Sequence, residues 1–283
     1  MQRFQYITPK TVEEACAFMA KGGTQPVAGG TDVIPRMLHN GLSAESLMDL
    51  SGLTGLRFIH AEGNQIILGA LTTHTDLVRS SLVRESAAVL AQAAGTVGAH
   101  QTRNRGTLGG NIANASPAGD TLPALLALDA AVTLVSAEGE RTLPLAQFLL
   151  GPGKTALRPG ELIRQVSFER LPANARCAYE KMGKRNGMAI SIASAAAVVI
   201  PAADGTVKEL RLALGSVAPT PIRCPQAEAA LRGQALGDDS IETAGRLAMQ
   251  TCSPISDIRS TAEYRREAVG VLVQRALGAL REA

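Results

Sequence analysis

The chain has no tryptophan, and only three tyrosines and five phenylalanines among its 283 residues. Aromatics this sparse, and a net charge of +3 with no basic cluster behind it, leave no footprint of nucleic-acid binding, which needs a positive face and rings on which bases stack. No uninterrupted apolar run reaches the roughly 20 residues of a membrane-spanning helix. The longest, near Ala193 to Ala203, is rich in Ala and Val and reads as a buried strand. The N-terminus, Met1-Gln2-Arg3-Phe4-Gln5-Tyr6, has neither a basic stretch ahead of an apolar segment nor a twin arginine, so a cytoplasmic location is expected.

Metal-ligand spacing is missing too. Cys16, Cys177, Cys224 and Cys252 are scattered without a C-x-x-C pair, so no zinc site or iron–sulfur cluster is written locally, and the four read as small buried hydrophobes. His39, His60, His74 and His100 form no H-x-H or H-E-x-x-H pattern, and spacing alone gives none of them a role as ligand or base. No metal site is expected. There is no internal repeat or low-complexity segment, and the length suits one large or two ordinary domains.

What the chain does contain is a pair of glycine-rich turns about eighty residues apart, Ala28-Gly29-Gly30-Thr31-Asp32 and Thr107-Leu108-Gly109-Gly110-Asn111. A Gly-Gly pair between strand and helix is often only a tight turn. It is also a candidate phosphate cradle, because glycine permits close backbone approach and positive φ while adjoining Thr and Asn supply a hydroxyl and an amide. The first turn follows Pro26-Val27-Ala28 and leads into Asp32-Val33-Ile34-Pro35, with proline where a first helical turn is expected. That arrangement sets free N–H groups and the positive end of a helix dipole beside the glycines. The second turn continues from Asn111 to Asp120 as a small, polar stretch, expected to be a loop that wraps a ligand. Asp120 has two compatible roles, as acceptor for ribose or ribityl hydroxyls and as N-cap of a helix ahead of Leu122. Together the two turns can clamp one pyrophosphate.

A third cluster, Gly151-Pro152-Gly153-Lys154-Thr155, ends like the phosphate loop of an NTPase. Phe148 stands where the opening glycine is needed, and Pro159 would interrupt the following helix. Lys154 is therefore read as a loop residue, near a partner face or simply solvated.

The patterning alternates strand and helix. Phe4 to Ile7, Leu47 to Leu50, Ile66 to Leu71 and Val132 to Val135 read as strands. Thr11-Val12-Glu13-Glu14 reads as a capping box opening a helix with Val12, Ala15, Cys16 and Met19 on one face, and Ser81 to Ala94 as a second helix. After the turn-prone Leu171-Pro172-Ala173-Asn174, strands at Arg176 to Met182, Ala189 to Ile200 and Val207 to Leu214 come close together. Helices at Gln226 to Arg232, Ile241 to Thr251 and Thr261 to Leu280 follow, which suggests a separate α+β domain.

The stretches Val27 to Asp32 and Arg103 to Asp120 resemble the two flavin-binding signatures of the FAD subunits of molybdenum hydroxylases, a group that includes xanthine dehydrogenase and carbon monoxide dehydrogenase. Gly151 to Thr155, Leu212 to Arg223 and Glu263-Tyr264-Arg265-Arg266 match as well, so the resemblance covers essentially the whole chain. The Gly-Pro-Gly-Lys and Ala-Pro-Thr-Pro-Ile-Arg-Cys stretches look most like bacterial xanthine dehydrogenase FAD subunits. The fold implied is α/β (α+β): a two-lobed FAD-binding domain of the PCMH/vanillyl-alcohol-oxidase type over residues 1–172, with lobes of about 1–55 and 56–172. A smaller C-terminal α+β domain, 173–283, closes over the flavin.

The resemblance implies FAD contacts from Pro26, Val27, Ala28, Gly29, Gly30, Thr31, Asp32, Val33, Val97, Thr107, Leu108, Gly109, Gly110, Asn111, Asp120, Ile163 and Lys181. Lys181 would reach the cofactor from the C-terminal domain, where a cation near the flavin N1–C2 carbonyl edge stabilises the reduced form. Pattern alone also reads it as a surface lysine alternating with Tyr179 and Met182. No residue is assigned as catalytic beyond that tuning role. The implied activity is electron transfer in a heteromeric oxidoreductase. A molybdopterin-binding large subunit oxidises the substrate, purine being the leading candidate, and a small [2Fe-2S] subunit feeds electrons to the flavin. These pass to NAD or another acceptor, and a dimer of heterotrimers is the usual assembly. Val97 stands where animal xanthine dehydrogenases have an aromatic, and Met188-Ala189-Ile190 lacks their acidic residue, which puts NAD in question. The cysteine-rich insertion of some relatives is missing. Two other readings remain, a stand-alone flavoprotein oxidase and a scaffold without flavin.

Overall fold

The computed structural model describes residues 3–39 and 41–281. Met1 and Gln2, Glu282 and Ala283, the outer ends of the two expected domains, lie outside the described residues.

The chain begins with a small parallel sheet of β1 (Gln5–Ile7), β2 (Thr24–Val27) and β3 (Ser46–Asp49) in the order β1-β3-β2. Parallel neighbours need crossovers, here α1 (Val12–Ala20) and α2 (Val33–Leu38). Thr11 caps α1 by accepting from the Glu14 amide at 3.2 Å. The Glu14 carboxylate takes the Lys10 amide at 2.7 Å, so only half of the expected capping box forms. Ala15 and Cys16 are buried with Met48, and Val12 and Met19 pack beside them as their spacing predicts.

A larger antiparallel sheet follows. Strands β4 (Ile59–Glu62) and β5 (Gln65–Gly69) lead into six short helices: α3 (His74–Arg79), α4 (Ser81–Ser86), α5 (Ala88–Gly95), α6 (His100–Arg105), α7 (Leu108–Asn114) and α8 (Thr121–Ala127). Then come β6 (Ala131–Ser136), β7 (Gly139–Pro144), α9 (Leu145–Phe148), the hairpin of β8 (Leu149–Gly151) with β9 (Lys154–Thr155), and β10 (Leu162–Glu169). The sheet order is β4-β5-β10-β6-β7.

Two expectations change here. The single helix from Ser81 to Ala94 is broken at Ala87, which has φ −158° and ψ 53°. The carbonyl of Ser86 accepts instead from the Leu171 amide at 3.2 Å, a tertiary bond that the local pattern cannot announce. The stretch read as loop from Asn111 onward is helical through Asn114, with Thr107 as N-cap.

The last sheet runs β11 (Arg176–Met182), β12 (Ala193–Pro201), β13 (Val207–Gly215), β14 (Ile222–Arg223), antiparallel in chain order. Strand β12 starts at Ala193 rather than Ala189. Ala196 and Val198 join the core of the larger sheet and its helices. Ala195, Ala197 and Val199 face α10 (Pro225–Leu231), α11 (Asp238–Thr251) and α12 (Ala262–Ala279). Coverage on both faces explains the continuous apolar run, because alternation marks a sheet with one wet face. Among the described residues no helix is long and apolar enough to cross a membrane.

Candidate cofactor-binding site

The two glycine turns meet. A Cβ on Gly29 would lie 1.9 Å from the Arg105 carbonyl oxygen, so the first turn rests directly on the backbone that leads into the second, and only glycine allows it. Gly30 has φ +73°, a left-handed conformation that re-aims the chain into α2. Asn114 Nδ2 donates to Asp32 Oδ1 at 3.1 Å, a second tie between the turns. Among the described residues, no backbone carbonyl takes the amides of Gly29, Gly30, Thr31 and Asp32. Those donors remain for a ligand.

In the second turn the work is divided. The amides of Leu108 and Gly109 donate to Thr72 and Ala70 carbonyls, both at 2.8 Å, and a Cβ on Gly109 would come 2.7 Å from Ala70 Cβ. These two residues anchor α7. Thr107 Oγ1 accepts from the Gly110 amide at 3.0 Å, while Gly110 is exposed. The arrangement sets Thr107, Gly110 and Asn111 along the border of a cavity of about 660 Å³.

That cavity gathers most of the expected contacts: Pro26, Ala28, Gly29, Gly30, Thr31, Asp32, Val33, Val97, Thr107, Gly110, Asn111 and Asp120. Val27, Leu108, Gly109, Ile163 and Lys181 are not in its lining. Val27 pairs with Asp49 in the parallel sheet, and Ile163 belongs to the core around β10. The far wall comes from loops of the C-terminal part, with Met188, Ile190, Ser191, Ser216 and Ile255, and from Arg265 of α12. Burial pushes the Asp32 carboxyl up, with Arg36 opposing.

Asp120 and Lys181 do come together, but in an unexpected way. Lys181 Nζ lies 2.6 Å from Asp120 Oδ2 and donates also to the Thr96 carbonyl at 3.0 Å. Asp120 Oδ1 accepts from Ser191 Oγ at 2.6 Å and from Tyr179 OH at 3.3 Å. Lys181 is therefore neither a surface lysine nor a free cation on the cavity. Asp120 lines the wall, with the ammonium bonded behind it. The Asp120 side chain caps no helix; its oxygens are taken by donors from β11 and the strand-entry turn at Ser191. Burial pushes its carboxyl up, against the pull of Lys181, Ser191 and Tyr179. Three of roughly four acceptor positions on a carboxylate are used, and one is left for a ligand hydroxyl.

Sequence reasoning missed three residues here. Among the described residues, the buried side-chain polar atoms without a hydrogen-bond partner are His74 Nδ1, Ser216 Oγ and Arg265 Nε, and all three residues line this cavity. Native proteins pair nearly all buried polar groups, so three unpaired atoms in residues around one cavity call for a further partner there. Arg265, in the first turn of α12, donates to the Ile192 carbonyl at 2.6 Å, the Ser216 carbonyl at 3.2 Å and Asp257 at 2.8 Å. Ser216 holds φ +63°, uncommon for a residue with a side chain. Ser216 and Arg265 sit in segments that carried the family resemblance; nothing near His74 signalled a role. The Gly151 to Thr155 cluster forms the β8–β9 hairpin, with Gly153 donating to the Ala115 carbonyl at 3.0 Å. Among the described residues no three His, Cys, Asp or Glu side chains are grouped to hold a metal.

Comparison with known proteins gives the family. Residues 2–171 match the family model for the FAD binding domain in molybdopterin dehydrogenase, and residues 178–280 that for the CO dehydrogenase flavoprotein C-terminal domain. The chain is 34% identical over 279 residues to the carbon monoxide dehydrogenase medium chain of Hydrogenophaga pseudoflava, covering 98% of this chain and 96% of the relative. It is 32% identical to the xanthine dehydrogenase FAD-binding subunit of Escherichia coli O157:H7, covering 89% of this chain and 86% of the relative. The structure of reconstituted CO dehydrogenase from Oligotropha carboxidovorans superposes with a TM-score of 0.96 at 31% identity, covering 99% of this chain and 98% of that one.

Proposed function

The chain belongs to the FAD-binding subunits of the molybdenum hydroxylases, and from that premise we propose that it holds FAD where its two glycine turns meet and relays electrons there from a [2Fe-2S] partner to NAD or another acceptor. It is an oxidoreductase subunit with FAD as cofactor. The observation that carries the placement is the convergence on one cavity of both turns and of the three residues that hold unpartnered buried polar atoms. A dinucleotide fits such a site: open amides suit a diphosphate, and the apolar side chains of Met188, Ile190 and Ile255 on the C-terminal wall suit a ring system.

In this reading Gly29 to Asp32, with Thr107, Gly110 and Asn111, would grip the diphosphate, and Val97, in the lining of the same cavity, would be available to the flavin ring. Asp120 offers its remaining lone pair to a ribityl or ribose hydroxyl. Leu108 and Gly109 act by fixing α7, and Val27 and Ile163 by holding the strands behind. Lys181 sets the charge of Asp120 rather than facing the ring. FAD held there would supply the exchange between one-electron and two-electron carriers.

The partners we infer are a molybdopterin-binding large subunit and a small [2Fe-2S] subunit, with NAD or another carrier as final acceptor, in a cytoplasmic dimer of heterotrimers. Relatives of nearly equal identity are named for carbon monoxide, glyceraldehyde, nicotinate and xanthine. That spread supports a substrate choice made outside this chain, purine included. The visible absorption spectrum of the purified chain, with mass analysis of what denaturation releases, tests the reading. Near-stoichiometric FAD is expected, with no hydroxylation of any substrate by the chain alone. A colourless chain that refuses added FAD would overturn it.

A further inference from the structure

His74 opens α3, and its own amide donates to the Gly106 carbonyl at 3.0 Å, which fastens it against the second glycine turn. A Cβ placed on Gly106 would lie 3.1 Å from His74 Cδ2 and 3.4 Å from Thr31 Oγ1. The imidazole and the hydroxyl of the first turn therefore converge on the same glycine. His74 is 2% exposed, lines the cavity, and has no partner at Nδ1. Thr31 Oγ1 likewise bonds to none of the described residues. Two unpartnered polar groups, one from each side of the junction, stand beside the open amides of Gly29 to Asp32.

Burial, and then the positive charge of Arg103, push the imidazole down to about 4. At neutral pH the ring is uncharged and keeps one N–H to donate. Such a donor suits an anionic oxygen without placing an uncompensated charge in a buried position.

We propose that His74 and Thr31 form a donor pair for one oxygen of the cofactor's diphosphate, with His74 the positioning residue that fixes where the linker crosses between the turns. This rests on the FAD reading above.

The test is a titration of the cofactor-stripped full chain with FAD, followed by flavin fluorescence. His74→Leu, which keeps the bulk and loses the donor, is expected to raise Kd at least tenfold, and Thr31→Val several-fold. His74→Gln restores a donor and is expected to stay within about threefold of wild type. In the wild-type and His74→Gln holoproteins the ³¹P resonances of the bound diphosphate are expected to differ. The proposal is overturned if His74→Leu binds FAD like wild type, if Leu and Gln weaken binding equally as a packing role would, or if the ³¹P resonances coincide. Should His74→Leu not fold, Thr31→Val and the ³¹P comparison decide. A wild-type chain that binds no FAD would sink the underlying reading instead.

Discussion

Lys181 and Asp120 form an ion pair 2.6 Å long across the seam between the C-terminal sheet and the turn before α8, with side chains only 10% and 8% exposed. A buried pair is costly to break from one side, because the surviving charge stays desolvated, and the loss is about 3–5 kcal/mol. Lys181→Met and Asp120→Asn should each lower the unfolding free energy by an amount of that order. The double variant should lose much less than the sum, as read from urea denaturation in a double-mutant cycle. Additive losses would show that the two groups do not depend on each other.

His74 gives the cofactor-free chain a pH dependence. Its imidazole titrates at about 4 in the folded chain against an ordinary value of 6.5, so in that interval the unfolded chain binds the proton more readily. The stability it preserves is present above pH 6.5 and is lost as pH falls towards 4, at up to about 1.4 kcal/mol per pH unit. Urea midpoints of wild type and His74→Asn, compared from pH 7.5 down to 4.5, should converge as the pH falls. Parallel curves would count against the depressed titration.

Gly110 and Gly29 should fail in different ways. A Cβ on Gly110 meets only Thr107 Oγ1, at 2.9 Å, on the cavity border. Gly110→Val should thus keep a near-normal melting temperature while losing FAD. A Cβ on Gly29 runs into the Arg105 backbone, which cannot step aside, so Gly29→Ala should cost stability first, on the order of 1–3 kcal/mol as overpacking does. Melting curves of the stripped proteins beside their FAD content separate the two. Unchanged flavin in Gly110→Val would remove the second turn from the grip.

Much of the architecture was readable before any coordinates. Strand β12 is an Ala- and Val-rich run that burial on both faces explains, and Thr11 caps the helix expected after it. The break at Ala87 was not readable, since it depends on a bond from Leu171, 85 residues on from Ser86. The helical start of the second signature was hidden by its two glycines, whose low helix propensity is overridden by the Thr107 cap and by anchoring to Ala70 and Thr72. At the site, the glycines announced themselves because close backbone approach requires that one residue type. His74 did not, because an isolated histidine has no spacing to read.

The sequence by itself determined which short segments bend, where the first helix is capped, and, through the two signatures, the family and its FAD. Those properties are local: they follow from the conformational freedom of Gly29 and Gly30, from the hydroxyl of Thr11, and from runs of residues that keep their order along the chain. Tertiary structure alone decided that Gly29 rests on Arg105, that Lys181 is spent on Asp120, and that His74, Ser216 and Arg265 face one cavity with their bonding incomplete. Charge pairing and burial depend on distances through space between residues tens of positions apart, and those distances exist only once the sheets have packed.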